Sequence, residues 1–276
     1  MNHLHTRIAF FGISDKGLQR ANNEDHFIVA DLTHKAVAVK ENRVTLPLVC
    51  HEVGPKGTLL AVADGLGGYE GGEVASQMAV EATARALFAA VEHDLPPAKQ
   101  LGMAIEEAHQ AICWHRSRGG GHPHMASTLT AVHIGDEMLT VAQIGDSRAY
   151  LFRNGRLTIL TEDQTMVHSM QKRGVLTEME ARNHPLRHLI LQAIGQDSTI
   201  LPAVHTYPLL HGDWVLLCTD GLSSYVSAER IETILSSEVD EPTCCRALID
   251  AANACGGADN VTVLLARLMV SQGSEP

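Results

Sequence analysis

Carboxylates occur where apolar runs stop. Leu59–Ala63 leads into Asp64-Gly65, Val141–Ile144 into Gly145-Asp146, and Val215–Thr219 into Asp220-Gly221. Two further acidic steps precede apolar runs: Asp259-Asn260 before Val261–Leu265, and Glu24-Asp25 before Phe27-Ile28-Val29. Taken singly, Asp-Gly and Gly-Asp are turn dipeptides. Five such junctions in one chain read differently, because acids at strand ends can gather at one edge of a sheet. Asp64-Gly65 is followed by Leu66-Gly67-Gly68 and a helical pattern, not a returning strand, so a tight hairpin does not account for it. Carboxylates brought together repel, which raises their pKa values and lowers stability unless a cation sits among them. An all-oxygen ligand set selects a hard ion such as Mg2+ or Mn2+ over zinc, and the glycine after Asp64 lets a backbone carbonyl approach the same ion.

The elements that must position these acids show in the periodicity. Ala75, Ala79, Ala82, Ala86 and Ala90 share one face of a helix between Gly71 and His93, with side chains small enough for close packing on a sheet. A second helix is predicted after Pro96-Pro97, where Leu101, Ile105, Ala108 and Ile112 recur at helical spacing until Gly119-Gly120-Gly121 stops them. From Ser127 to Leu160 the pattern becomes strands: Thr128–Ile134, a turn at Gly135-Asp136-Glu137, Met138–Ile144 and Ala149–Phe152. Asn154-Gly155 then joins Phe152 to Leu157 as a type I′ hairpin, and the whole is expected to be one antiparallel meander. Residues 161–200 read as short helices and loop, and Trp214–Cys218 and Val261–Leu265 as buried central strands. Helices before, between and after antiparallel strands indicate an α+β layered fold. Pro47 and Pro55 around Val44–Val49 predict an extra hairpin or loop within 33–57.

Composition narrows the classes. A chain of 276 residues, 45% hydrophobic and without a Pro-, Gly- or Ser-rich linker, is expected to form one domain across 1–276. Its 21 Lys+Arg against 32 Asp+Glu oppose a surface built to collect nucleic-acid backbones, so no nucleic-acid partner is expected. No apolar run approaches the roughly 18 residues of a membrane span, and Met1–Ile13 lacks the pattern of a secretory signal. The six cysteines form no C-x-x-C pair, which fits reduced, packed thiols and a cytoplasmic location. Vicinal Cys244-Cys245 falls on a helical core pattern, His122-Pro123-His124 reads as solvated loop, and His184 as a loop cap. The glycines from Gly65 to Gly72 lack the Lys-Ser/Thr of a P-loop and the G-x-G-x-x-G spacing, which excludes nucleotide binding there.

Five segments carry a more specific likeness: Ser14–Asp25, Ala63–Gly68, Ile144–Arg148, Cys218–Leu222 and Gly256–Val263. In this order they resemble the motifs of the type 2C metal-dependent Ser/Thr protein phosphatases in their short bacterial form. Met125–Thr130 resembles the family's small-residue entry to the central strands, and Arg173-Gly174 through Asn183-His184-Pro185 to Ala193-Ile194-Gly195 its flap, so that the flap spans about 161–195. The resemblance implies a four-layer α-β-β-α sandwich of two packed, mainly antiparallel sheets with a metal cleft at one end. It implies two Mn2+ or Mg2+ ions, with a third possible. Asp64 would bridge the two, Gly65 would give a carbonyl, Asp220 and Asp259 would complete one ion, and Glu24 and Asp25 would hold the other directly or through water. Asp146, with Asp220, matches the third position, and Arg20 the residue that grips substrate phosphate.

The activity so implied is hydrolysis of phosphoserine and phosphothreonine in proteins, by attack of a hydroxide held between two metals, in bacterial signalling opposite a Ser/Thr kinase. Partners would be phosphorylated Ser/Thr proteins, including a cognate kinase or its substrates; neither nucleic acid nor membrane is expected, and the chain is expected to be monomeric. No C-x5-R phosphatase signature competes with this reading. Two positions depart from the family. The histidine that many eukaryotic members carry two residues after the bridging aspartate is Leu66, which leaves protonation of the leaving group unassigned. The Asp-His-Ser common before the flap is Asp163-Gln164-Thr165. Leu66 and Gln164 keep open a non-catalytic phosphoprotein-binding module, and the shared chemistry keeps open a small-molecule phosphomonoesterase.

Overall fold

A computed structural model describes residues 6–37, 44–45, 49–66, 71–119, 123–135, 137–196, 199–237 and 240–270. The strands form two antiparallel sheets. One runs, in spatial order, β11 (Arg156–Ile159), β10 (Arg148–Arg153), β13 (Trp214–Cys218), β14 (Val261–Val270), β1 (Thr6–Asp15) and β4 (Val44–Thr45), with β5 (Val49–Glu52) also on β1. The other runs β12 (Ala203–Pro208), β9 (Met138–Ile144), β8 (Leu129–Gly135), β6 (Thr58–Leu66), β2 (Asp25–Asp31) and β3 (Ala36–Val37), with β7 (Ala126–Ser127) on the end of β6. Helices α1 (Gly72–Ala90) and α2 (Pro97–Ser117) cover the second sheet. Between β11 and β12 lie the short α3 (Met166–Lys172) and α4 (Glu178–Arg182); α5 (Asp220–Ser223) follows β13, and α6 (Ala228–Ser237) and α7 (Glu241–Ala254) cover the first sheet.

Three cores result, and single strands serve two of them. On β6, Leu60 and Val62 face the other sheet and, with Phe27 of the neighbouring β2, pack among Phe10, Leu217 and Leu264 of that sheet. Their neighbours Leu59, Ala61 and Ala63 face the helices, against Ala75, Ala79, Leu101 and Ile105. On β13, Val215 and Leu217 point between the sheets while Leu216 and Cys218 meet Cys244, Cys245 and Leu248 of α7. Burial on both faces is why these strands read as continuous apolar runs without alternation. The alanine face of α1 is buried through Ala75, Ala79, Ala82 and Ala86, and the two cysteines of α7 are core residues. No helix among the described residues is long and apolar enough to cross a membrane.

The expected meander is divided. β8 and β9 are neighbours in one sheet and β10 and β11 in the other, so the chain crosses between sheets over residues 145–147. Gly145, at φ +97°, makes that exit, whereas Asn154 and Gly155, at φ +52° and +78°, close the true type I′ hairpin. The free edge of β9 pairs with β12 and that of β10 with β13, choices between distant strands that no local turn signal encodes. Of the hairpin expected within 33–57, residues 38–43 and 46–48 lie outside the described residues. The described pieces pair outward, β3 with β2 and both β4 and β5 with β1.

Leu217 is fully buried between the sheets. Leu217→Ala should therefore lower unfolding free energy by about 2–5 kcal/mol in a urea titration; a change below ~1 kcal/mol would contradict the packing described.

Candidate functional site

The carboxylates meet where the two sheets open at one end. Asp25, the first residue of β2, stands directly across from Asp64 of β6, an adjacency that costs stability for like charges. Asp64 is not at the end of its strand, because β6 continues two residues further to pair with β7. The first sheet contributes the other acids: Asp220 opens α5 just after β13, and Asp259 lies just before β14. Asp146 lies in the crossing between sheets. Asp64 feels the charge of all four of these aspartates. Among the described residues no three His, Cys, Asp or Glu side chains close into a finished ligand cage; the acids face one another as a repelling group.

Backbone and hydroxyl contacts hold the acids there. The Asp64 N–H donates to Thr128 Oγ1 at 2.9 Å, and its carbonyl accepts from the Thr128 N–H and the Ser127 hydroxyl, both at 2.9 Å. Thr128 Oγ1 in turn lies 2.8 Å from the Ser147 hydroxyl, which links this strand to the crossing at Asp146. Asn260 spends both amide protons and one acceptor site on the loop before β2: Oδ1 accepts from the Glu24 N–H at 2.8 Å, and Nδ2 donates to the carbonyls of Lys16 and Asn22 at 2.9 and 2.8 Å. Gly65 allows close approach, since a Cβ there would collide with the Gly72 carbonyl and crowd that of Glu24. The Glu24 carboxylate itself lies against Gly72, at the N-terminus of α1, where the helix dipole favours an anion.

Burial and mutual charge raise the acids. Asp64 lies well above the ordinary carboxylate range, first through loss of water and then through Asp25 and Asp220. Asp25 and Asp220 are also raised, burial being the main cause in each; for Asp25 the hydroxyls of Thr219 and Thr262 oppose the rise. Asp146 is pushed up to about 8 by burial, then by Asp220 and Asp163. Two buried oxygens of these acids, Asp25 Oδ1 and Asp146 Oδ1, have no hydrogen-bond partner among the described residues. An all-oxygen donor set with raised pKa values and orphaned oxygens is chemically suited to a hard divalent cation.

The chain thus brings together Asp25, Asp64, Asp146, Asp220 and Asp259, with Glu24 and Gly65 beside them. Arg20, with a side chain 53% exposed, donates from Nη2 to Asp259 Oδ2 at 2.7 Å and so stands at the same rim. Gly67 and Gly68 lie outside the described residues, as does His122. A cleft of about 610 Å3 extends from Asp146 and Asp220 toward Tyr225 and is walled by Asn183, Arg187 and His188 of the 161–195 segment. His184 accepts from the Leu186 N–H, which is a capping role.

Sequence reasoning passed over the hydroxyl and amide braces, although one signal was available. Thr219 and Thr262 are polar residues inside apolar strand sequences, and each is fully buried. The three residues where the flap histidine was absent have structural roles. Asp163 holds Arg148 through two bonds of 2.7 and 2.6 Å, Gln164 Oε1 accepts from the Gly145 N–H at 2.9 Å, and Thr165 caps α3.

The charge state of Asp146 has a measurable sign. Its pKa of about 8 in the folded chain exceeds the ordinary 3.8, so the folded state keeps a proton that the unfolded state has released. With chelator present, that contribution to stability declines from about pH 4 to about pH 8 and is lost above it. Asp146→Asn cannot ionise, so its melting temperature relative to the unsubstituted protein should climb across this range; a difference flat with pH, or moving the other way, would contradict the assignment.

Comparison with known proteins agrees with this fold. A family model described as protein phosphatase 2C matches residues 49–251. The serine/threonine phosphatase stp of Listeria welshimeri is 32% identical over 258 residues, which cover 91% of this chain and 92% of that protein. The crystal structure of the Mycobacterium tuberculosis serine/threonine phosphatase PstP/Ppp superposes with a TM-score of 0.76 at 32% identity, covering 95% of this chain and 99% of that one. A structure of the PstP catalytic domain in complex with two manganese ions matches with a TM-score of 0.75 at 32% identity, covering 96% and 99%. A fold of two helix-flanked antiparallel sheets, a family model over most of its length and relatives near one-third identity place this chain in the protein phosphatase 2C family.

Proposed function

We propose that the chain is a metal-dependent phosphatase of phosphoserine and phosphothreonine in proteins, acting as one catalytic domain over 1–276 and opposing a bacterial Ser/Thr kinase. The observation that carries this reading is the convergence of five buried or half-buried aspartates, two of them with an orphaned buried oxygen. Asp64, Asp220 and Asp259 would hold one divalent ion, and Asp64, Glu24 and Asp25 the second, directly or through water; the Gly65 carbonyl, which lies with the Glu24 carboxylate against Gly72, would face that second ion, and Asp146 with Asp220 would serve a third. PstP, with which the chain shares its fold, holds two manganese ions, which supports Mn2+ or Mg2+ as the occupants. Bound there, such ions supply a nucleophile from water at neutral pH and neutralise charge on the phosphoryl oxygens.

The chain's own residues do the rest. Arg20 exchanges its bond to Asp259 for the equatorial oxygens of the phosphate, where a fork of N–H donors matches the acceptor geometry. Asp64 and the acids facing it fix the position of attack, and their rigid backing by Ser127, Thr128 and Asn260 limits misplacement. The cleft beside Asp146 accepts the peptide on either side of the phosphorylated residue. In the reaction the phosphorus–oxygen ester bond breaks, water oxygen joins phosphorus, and the alcohol leaves as serine or threonine. Leu66 has no proton to give the departing alkoxide, so the donor of that proton lies elsewhere. Gln164 braces the Gly145 turn, which removes one of the two features that favoured a non-catalytic module.

Phosphate release from a phosphothreonine peptide should require Mn2+ or Mg2+, cease with EDTA, and fall by about 100-fold or more in Asp64→Asn and Asp220→Asn. Activity that survives chelation or either substitution would reject the reading. Asp146→Asn should keep substantial turnover if its ion is accessory; complete loss would place it in the essential set. Phosphopeptides should be turned over in preference to p-nitrophenyl phosphate and metabolite esters, and the reverse order would favour a small-molecule substrate. The monomeric state is checked by light scattering.

A further inference from the structure

Thr262, on β14, and Thr219, the residue between β13 and α5, come from the side of one sheet, and Asp25, on β2, from the other. Both threonine hydroxyls donate to the same oxygen, Asp25 Oδ2, at 2.7 and 2.8 Å. Each hydroxyl has one proton, and both protons are thereby committed. The directions of the remaining bonds follow. The Thr262 N–H donates to Thr219 Oγ1 at 3.0 Å. The Ser14 hydroxyl, 2.7 Å from Thr262 Oγ1, must be the donor in that pair, and it accepts from Asn23 Nδ2 at 2.8 Å. The donors in this chain of four side chains run one way, from Asn23 through Ser14 to Thr262, and the two threonine protons end on one carboxylate oxygen. The other, Oδ1, is buried and has no hydrogen-bond partner among the described residues.

Buried polar networks are ordinarily completed, and a group left out calls for an explanation. A carboxylate with no other constraint would turn about its terminal bond to share its donors between both oxygens. Two hydroxyls converging on Oδ2 prevent this. We propose that Thr219 and Thr262 are positioning residues that fix the rotation of Asp25 so that Oδ1 is kept as the acceptor for a divalent ion, with Ser14 and Asn23 as outer supports. The proposal rests on the cation-holding reading of the aspartates. It separates these threonines from ordinary ties between sheets, whose loss would lower stability and leave ion affinity alone.

The test is calorimetric Mn2+ binding to the full chain, with melting temperature in EDTA as the control for folding. Thr219→Val and Thr262→Val keep the shape and remove the hydroxyl; each should weaken Mn2+ binding about 10-fold or more, while Thr219→Ser and Thr262→Ser stay within about 3-fold. The KM for phosphopeptide should not move with the valine variants. In an Asp25→Asn background, Thr219→Val should add no further loss of affinity, because the threonine acts through the carboxylate. Folded valine variants that bind Mn2+ as tightly as the unsubstituted protein, or an equal loss in both backgrounds, would overturn the proposal. Should a valine variant fail to fold, Ser14→Ala decides: a weakening of about 2- to 3-fold supports the chain of donors, and none overturns it. Absence of Mn2+ binding by the unsubstituted protein would remove the cation-holding reading and the clamp together, an outcome distinct from tight binding that the valines leave unchanged.

Discussion

The organising constraint is the repulsion of desolvated carboxylates collected at one end of the gap between two sheets. Asp25 and Asp64 are directly opposed on neighbouring strands, and Asp220 and Asp259 approach from the other sheet. No arrangement of the surrounding hydrocarbon relieves this, since burial is itself the largest cause of the raised pKa values. The chain tolerates the unfavourable site because extensive apolar packing lies immediately beneath it: the strands that carry the acids are buried on both faces. Binding a cation converts the same geometry from a destabilising to a stabilising feature.

Rigidity at the site comes from backbone contacts and short polar side chains. Asn260 ties three backbone groups of the Lys16–Glu24 loop to the start of β14, and so fixes Arg20 and Glu24 relative to Asp259. Ser127 and Thr128 do the same for Asp64 from β7 and the residue after it. The glycine at position 65 serves the same end, because any side chain there would push apart the segments that bring Glu24 and Asp64 together.

Much of this was legible in the sequence, and the unread part has a physical explanation. The two long helices follow from alanine and leucine spacing, the central strands from continuous apolar runs, and the gathering of the acids from their positions at the ends of those runs. The division of the supposed meander was not legible: Gly145-Asp146-Ser147 and Asn154-Gly155 both carry turn residues, and only the partners of β9 and β10, more than fifty residues further along the chain, decide which is a hairpin and which a crossing. Asp64 read as a strand end because the two residues beyond it, Gly65 and Leu66, pair with the short β7, which has no pattern of its own. The hydroxyl network was missed for a similar reason. A threonine in a strand, or one at the N-cap of a helix, satisfies local preference whether or not its hydroxyl has a distant partner, so Thr262 on β14 and Thr219 before α5 do not announce themselves until the two sheets are stacked.

The division of the acids between two sheets makes the hydrocarbon layer between them a spacer. Asp25 and Asp64 are registered to one side of that layer, Asp220 and Asp259 to the other, and its thickness is set by Phe10, Phe27, Leu60, Val62, Leu217 and Leu264. A single methylene added or removed far down the seam would act as a shim, widening or narrowing the mouth without touching any residue that lines it. Preference between a small, strictly octahedral ion and a larger, more permissive one would then shift through greasy side chains that never meet either. Selection on ion choice in such an architecture can fall on the caulking as readily as on the claws.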